Sequence, residues 1–149
     1  MFVTLVVDAS YCHKTKSGGY GFWVVSNRGS FPGSGVIKTK PENNVIAEMF
    51  AVCNALYDSI HLEKIQSNDE ILIQTDCLAA IQAFRFDRTK LSKQEIDAIQ
   101  YLDNISVKLN LKIRFRHVKG HTNNSEPRYI ANKLCDMRAK KEMKKMREA

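Results

Sequence analysis

The sequence predicts an α/β domain built on a five-stranded mixed sheet, in which an antiparallel meander joins parallel strands through helical crossovers. Three observations predict it. The segment from Phe2 to Val7 is β-rich and nearly all apolar, as suits a central strand covered on both faces. The apolar period changes from strand-like to helical after Asn44. Clean alternation returns from Lys112 to Val118. Strands and helices that alternate in this order favour a sheet with crossover connections.

Each element follows in turn. The first strand ends in Asp8-Ala9-Ser10, and a polar loop leads through Lys14 to Ser17 into Gly18-Gly19. Tyr20 to Ser26 is rich in aromatic and β-branched residues and reads as a second strand. Asn27-Arg28-Gly29 is a turn signal, and Ser30 to Lys38 returns as a third strand that Pro32 marks as an edge. Val45, Met49, Val52, Leu56 and Ile60 recur at helical steps over Asn44 to His61, with Asn44 as the cap.

Ile71 to Thr75 is a short buried strand with Asp76 at its carboxyl end, and a short helix carries Leu78, Ile81 and Phe84. Ser92 with Glu95 three residues on forms a capping box for a helix whose apolar face is Ile96, Ile99, Leu102 and Ile105. In the last strand Ile113, Phe115 and His117 share the apolar face, where His117 reads as structural, and Arg114 and Arg116 lie opposite. A loop from Lys119 leads to a basic helix from about residue 129 to 147. No repeat or linker interrupts residues 1–149, which read as one domain, long enough to bury roughly 70% of its unfolded surface.

Composition narrows the function. With 44% hydrophobic and 26% charged residues the chain reads as a globular protein. No apolar run approaches the ~20 residues of a membrane helix, and a secretory signal is not expected. Cys12, Cys53, Cys77 and Cys135 include no CxxC pair, which favours free thiols in a reducing, cytoplasmic compartment. The net charge of +7 is uneven: residues 1–75 hold six Lys/Arg and seven Asp/Glu, whereas residues 76–149 hold 17 and 9. A basic second half suits a polyanion such as nucleic acid, and equally a solvated charged face.

Four carboxylates stand where an α/β sheet places its ligands. Asp8 and Asp76 end strands, while Glu48 and Asp136 lie on helices that can aim at the same edge. Clustered carboxylates repel one another, and divalent ions with hard oxygen ligands, magnesium or manganese, neutralise them. Two such ions about 4 Å apart activate water and stabilise the leaving oxygen of a phosphodiester.

The residues Asp8-Ala9-Ser10, Gly18-Gly19-Tyr20-Gly21, Ala47-Glu48-Met49, Thr75-Asp76, Val118-Lys119-Gly120-His121 and Asn132 through Cys135-Asp136 occur in one order. In that order and spacing the sequence resembles the type 1 ribonuclease H family, from Phe2 to about Lys140. The resemblance implies the ribonuclease H-like fold and metal-dependent endonucleolytic hydrolysis of the RNA strand of RNA–DNA hybrids, leaving 5′-phosphate and 3′-hydroxyl ends. It implies that Asp8, Glu48, Asp76 and Asp136 bind two Mg2+ ions, with Mn2+ as a substitute, and that His121 assists proton movement or product release. Asn132 matches a family position that helps hold the loop or substrate.

Substrate contacts are expected from Ser10, beside the proposed metals, from Asn44, and from Lys119, with Arg114, Arg116 and the terminal helix adding phosphate grip. The chain departs from the family at Ala9, where a glycine is usual, at Val45, where an amide residue is usual, and at Cys77 and Leu78. A monomer that acts on hybrid without a membrane is expected. The alternatives are a catalytically silent nucleic-acid-binding module of the same fold and a related DNA junction or end nuclease.

Overall fold

A computed structural model of the chain describes residues 1–85, 90–119 and 127–148, with side chains from residue 130 onward in the last segment. In chain order the elements are β1 (Phe2–Cys12), β2 (Ser17–Ser26), β3 (Gly29–Ile37), α1 (Asn44–His61), β4 (Glu70–Thr75), α2 (Leu78–Arg85), α3 (Lys93–Leu109), β5 (Lys112–His117) and α4 (Pro127–Glu148). The five strands form one sheet in the order β3-β2-β1-β4-β5. The first three pair antiparallel, and β4 and β5 run parallel to β1, so the expected mixed sheet is present. No helix among the described residues is long and apolar enough to cross a membrane.

The hydrophobic pattern of β1 explains its central place. Val3, Leu5, Val7 and Ala9 face one side and enter the main core with Tyr20, Phe22, Ile71 and Ile73. Helix α1 covers that side with the small residues Ala47, Ala51 and Ala55, all fully buried, which lets it sit close to the large strand side chains. Val6, from the alternate face, packs with Ala131 and Cys135 of α4.

The opposite face is packed by a different means. A methyl group on Gly19 would lie 2.2 Å from the backbone nitrogen of Met143, and one on Gly21 would lie 2.4 Å from the Cys135 carbonyl oxygen. Helix α4 therefore rests directly on the backbone of β2, and the glycines of the Gly-Gly-Tyr-Gly segment make that approach possible.

Several sequence expectations shift by a residue or a turn. The cap of α1 is Asn43, not Asn44: Asn43 is extended and its Oδ1 accepts from the Ile46 N–H at 2.9 Å. Two adjacent asparagines offer the same chemistry, and only the backbone angle selects between them. Strand β1 does not end at Asp8 but continues to Cys12, because the hairpin with β2 pairs Asp8 with Gly21 and Cys12 with Ser17. What ends near Asp8 is the parallel pairing with β4, whose last register pair is Val6 with Gln74. Ala9 lies in this extended strand and is not a position of positive φ, so the usual glycine is not required there.

The capping box of α3 is present, with Ser92 Oγ accepting from the Glu95 N–H at 3.2 Å and Glu95 Oε1 accepting from the Ser92 N–H at 3.3 Å. Its expected apolar face is only partly buried: Leu102 enters the core, but Ile96 is exposed and Ala98 takes the buried place. His117 is exposed rather than part of the core. The terminal helix begins at Pro127, two residues before the expected start.

Candidate active site

The parallel pairing of β1 and β4 stops at Val6–Gln74, just before Asp8 and Asp76. Asp8, 2% exposed, comes from β1. Glu48, 6% exposed, enters from the second turn of α1, and Asp76 enters from the residue that follows β4. One carboxylate oxygen from each of these three residues lies within 4.8 Å of the other two. The three expected carboxylates thus converge at one edge of the sheet, from three separate elements.

Asp136 approaches from α4. It is not one of the three residues of that 4.8 Å group, but it lies near enough to Asp8 to push the Asp8 pKa up, and its own Oδ2 forms an ion pair with Lys140 Nζ at 3.1 Å, one helical turn on. Exposed pairs of this kind contribute only about 0.3–0.5 kcal/mol. The pair therefore sets little of the fold's stability.

The electrostatics of the cluster are unfavourable to three adjacent negative charges. Burial raises the pKa of Asp8 far above the ordinary carboxylate range, and repulsion from Glu48, Asp76 and Asp136 adds to it. Glu48 is also raised, first by burial and then by Asp76, although hydrogen bonds from Asp8 and from the Ala9 N–H act in the other direction. Asp8 Oδ2 and Glu48 Oε2 are buried without a hydrogen-bond partner among the described residues. Unpartnered buried carboxylate oxygens are costly. An all-oxygen donor set of this charge fits a hard divalent cation such as Mg2+ or Mn2+.

The remaining expected site residues are dispersed around the cluster. Ser10 follows Asp8 by two residues on β1 and is half-buried. Asn44 opens α1 and is exposed, which leaves its side chain available once Asn43 has taken the cap. Lys119 is exposed just beyond β5. Asn132 is 4% exposed on α4, one turn before Asp136, and its Oδ1 has no hydrogen-bond partner among the described residues. His121 lies outside the described residues.

Arg114 and Arg116, expected to grip phosphate, are engaged within the protein: the Arg114 guanidinium lies 5.9 Å from the Phe2 ring centre, and Arg116 donates to Gln74 Oε1 at 3.2 and 2.5 Å. Sequence reasoning missed the contact of His117 with the Asp76 carbonyl, at 3.1 Å from Nε2. A signal was available: His117 continues the apolar face of β5 past Phe115, but imidazole is a poor core residue at a strand end.

Comparison with known proteins places this geometry. No match was found among curated protein sequences. Among solved structures, the N-terminal RNase H domain of a Mycobacterium tuberculosis protein superposes with a TM-score of 0.73 at 15% identity, covering 99% of this chain and 96% of that one. RNase H1 from the halophilic archaeon Halobacterium salinarum gives 0.72 at 15% identity over 97% of this chain and 99% of that one. LC11-RNase H1, solved in complex with an RNA/DNA hybrid, gives 0.72 at 14% identity over 96% and 97%. At such identities the structures establish the fold, and a family model for RNase H matches residues 2–144. Sharing that model over nearly its whole length, the chain belongs to the RNase H family of ribonucleases.

Proposed function

We propose that the chain cuts the RNA strand of RNA–DNA hybrids internally, using two divalent cations, Mg2+ with Mn2+ as a substitute, held by Asp8, Glu48, Asp76 and Asp136. The observation that carries the reading is the convergence of Asp8, Glu48 and Asp76 oxygens within 4.8 Å, with Asp8 Oδ2 and Glu48 Oε2 lacking any hydrogen-bond partner among the described residues. The hybrid-bound neighbour supports the choice of substrate. When bound, the cations supply an activated water and neutralise the charge that develops on the phosphodiester.

The chain's own residues have separable tasks. Asp8, the most buried carboxylate of the four, anchors the centre from the rigid middle of β1. Glu48 and Asp76 hold the flanks, and Asp136 completes the set once it exchanges Lys140 for a cation. Ser10 and Asn44 contact the substrate backbone on either side, Lys119 meets phosphate, Asn132 steadies the substrate side of α4, and His121 moves a proton or helps product leave. Hybrid is recognised by shape, 2′-hydroxyls and phosphates rather than by base edges, and the products carry 5′-phosphate and 3′-hydroxyl ends. The same reading treats residues 1–149 as one domain acting as a monomer in the reducing cytoplasm, where Cys12, Cys53, Cys77 and Cys135 stay free thiols.

The test is a cleavage assay on end-labelled RNA–DNA hybrid, double-stranded DNA, double-stranded RNA and a four-way junction, with Mg2+, Mn2+ or EDTA. Internal cuts in the RNA strand of the hybrid alone, abolished by EDTA and by Asp76→Asn, are expected. Binding without cleavage under either metal means a silent module, and cleavage of the junction alone means a DNA nuclease.

A further inference from the structure

We propose that His117 is a positioning residue of the acidic centre, which holds the main chain of Asp76 so that its carboxylate meets Asp8 and Glu48. The inference rests on the proposed cation site and names a residue that holds it in shape.

Strands β4 and β5 pair in register from Glu70–Lys112 to Thr75–His117, and the last rung is the bond from the Val118 N–H to the Thr75 carbonyl at 3.0 Å. Asp76 is the first residue beyond that rung, so no strand neighbour fixes its carbonyl. Yet Asp76 must be held, because its carboxylate shares a 4.8 Å cluster with two others that repel it. Repulsion would swing an unsupported Asp76 toward solvent.

Two side chains supply the missing restraint. Thr75 Oγ1 accepts from the Cys77 N–H at 3.2 Å and closes the turn on the far side of Asp76. His117 Nε2 lies 3.1 Å from the Asp76 carbonyl oxygen. A carbonyl can only accept, so Nε2 carries the proton. The imidazole gains nothing from burial, since it is exposed, and sits on a strand-end position whose preceding same-face residues, Ile113 and Phe115, pack against the core. Its one polar contact among the described residues is the contact to Asp76. Residues that orient the ligands of a metal site change metal affinity or activity by about 10–100-fold when removed.

The experiment uses His117→Ala and His117→Gln. The amide Nε2 of glutamine reaches the place of the imidazole Nε2 and keeps the donor. Mn2+ binding is measured by calorimetry without nucleic acid, alongside Tm in EDTA and steady-state hydrolysis of hybrid. For His117→Ala the expected results are Mn2+ binding weakened about tenfold, a matching rise in the metal concentration for half-maximal rate, and unchanged hybrid KM and Tm in EDTA. His117→Gln is expected to restore most of the Mn2+ affinity.

Wild-type Mn2+ affinity in His117→Ala, or an equal loss in the alanine and glutamine variants, overturns the proposal while leaving the hydrolase reading intact. Weakened Mn2+ binding in a protein whose wild type cuts no hybrid upholds the positioning role and overturns the substrate. A fall of Tm in EDTA whose free-energy equivalent matches that of the lost Mn2+ affinity assigns His117 to stability alone and also overturns the proposal.

Discussion

Strand β4 has carboxylates at both ends, the buried Asp69 before it and, after it, the half-buried Asp76 with its buried neighbours Asp8 and Glu48, and the two ends treat negative charge in opposite ways. Asp69 is 1% exposed, but every demand of its charge is met. Arg28 donates to it through both terminal nitrogens at 2.6 and 2.9 Å, and the Gln66 N–H donates at 2.8 Å. Its pKa is accordingly lowered to about 2, with the Arg28 hydrogen bonds as the largest cause. At the other end, burial and mutual repulsion raise Asp8 and Glu48, and no arginine or lysine pairs with either among the described residues.

The same kind of side chain at a similar degree of burial is thus a fastening at one end and an open valence at the other. A fold that can satisfy a buried carboxylate so fully at Asp69 has left the cluster at the far edge unsatisfied, and that contrast separates structure from function more sharply than burial or charge alone.

Four predictions test this contrast, from the largest expected effect downward. Asp76→Asn is expected to lower kcat on hybrid at least about a thousandfold, with Tm in EDTA no lower than wild type because a repelling charge is gone. A clear fall in Tm would make the edge cluster structural after all. Arg28→Gln should do the reverse, costing about 3 kcal/mol in urea unfolding because the Asp69 charge is left buried and unpaired, while kcat of the folded protein stays within about twofold.

The third prediction concerns pH. Because Asp69 is depressed in the folded protein, its contribution is fully present above its unfolded pKa near 3.8 and is lost as pH falls toward about 2. The stability gap between wild type and Arg28→Gln is therefore expected to be flat above about pH 5 and to shrink by roughly 2 kcal/mol over that acid window. A gap independent of pH down to about 2 would mean that Arg28 works by packing, not by charge.

The last prediction moves outward from the cluster to the basic tail. Neutralising Lys140, Lys141, Lys144 and Lys145 together should weaken hybrid binding and flatten its salt dependence by roughly one unit of slope for each phosphate that no longer meets a lysine. An unchanged slope removes the tail from the binding surface and leaves grip to Lys119 and the α1 corner.

Much of this architecture is legible in the residues, and what is not legible has identifiable causes. The helical step of Met49, Val52 and Leu56 and the Ser92–Glu95 box are local signals, and they survive folding unchanged. Glu48 and Asp76 are legible because each follows from a helix face or an element boundary, whereas Asp8 is expected at a strand end and lies instead inside β1, just past its last pair with β4. The extension of β1 to Cys12 is not, since Ser10, Tyr11 and Cys12 become strand only through partners on β2. Asn43 and Asn44 are indistinguishable until one backbone turns. The tasks of Gly19 and Gly21 depend on residues more than a hundred positions away.

That close seat of α4 on Gly19 and Gly21 has a consequence for how the protein comes into being. The Cys135 thiol donates to the Val6 carbonyl across 129 positions at 3.6 Å, so one of the longest loops in the chain closes when this helix docks. Contacts so distant in sequence form slowly. Asp136 rides on the same helix, and a chain that has assembled its sheet and α1 but not yet seated α4 holds three of its four carboxylates and lacks the fourth. On the proposed four-carboxylate site, cutting power would arrive only when that loop has closed: a refolding protein is expected to recover its far-ultraviolet signal before its nuclease activity.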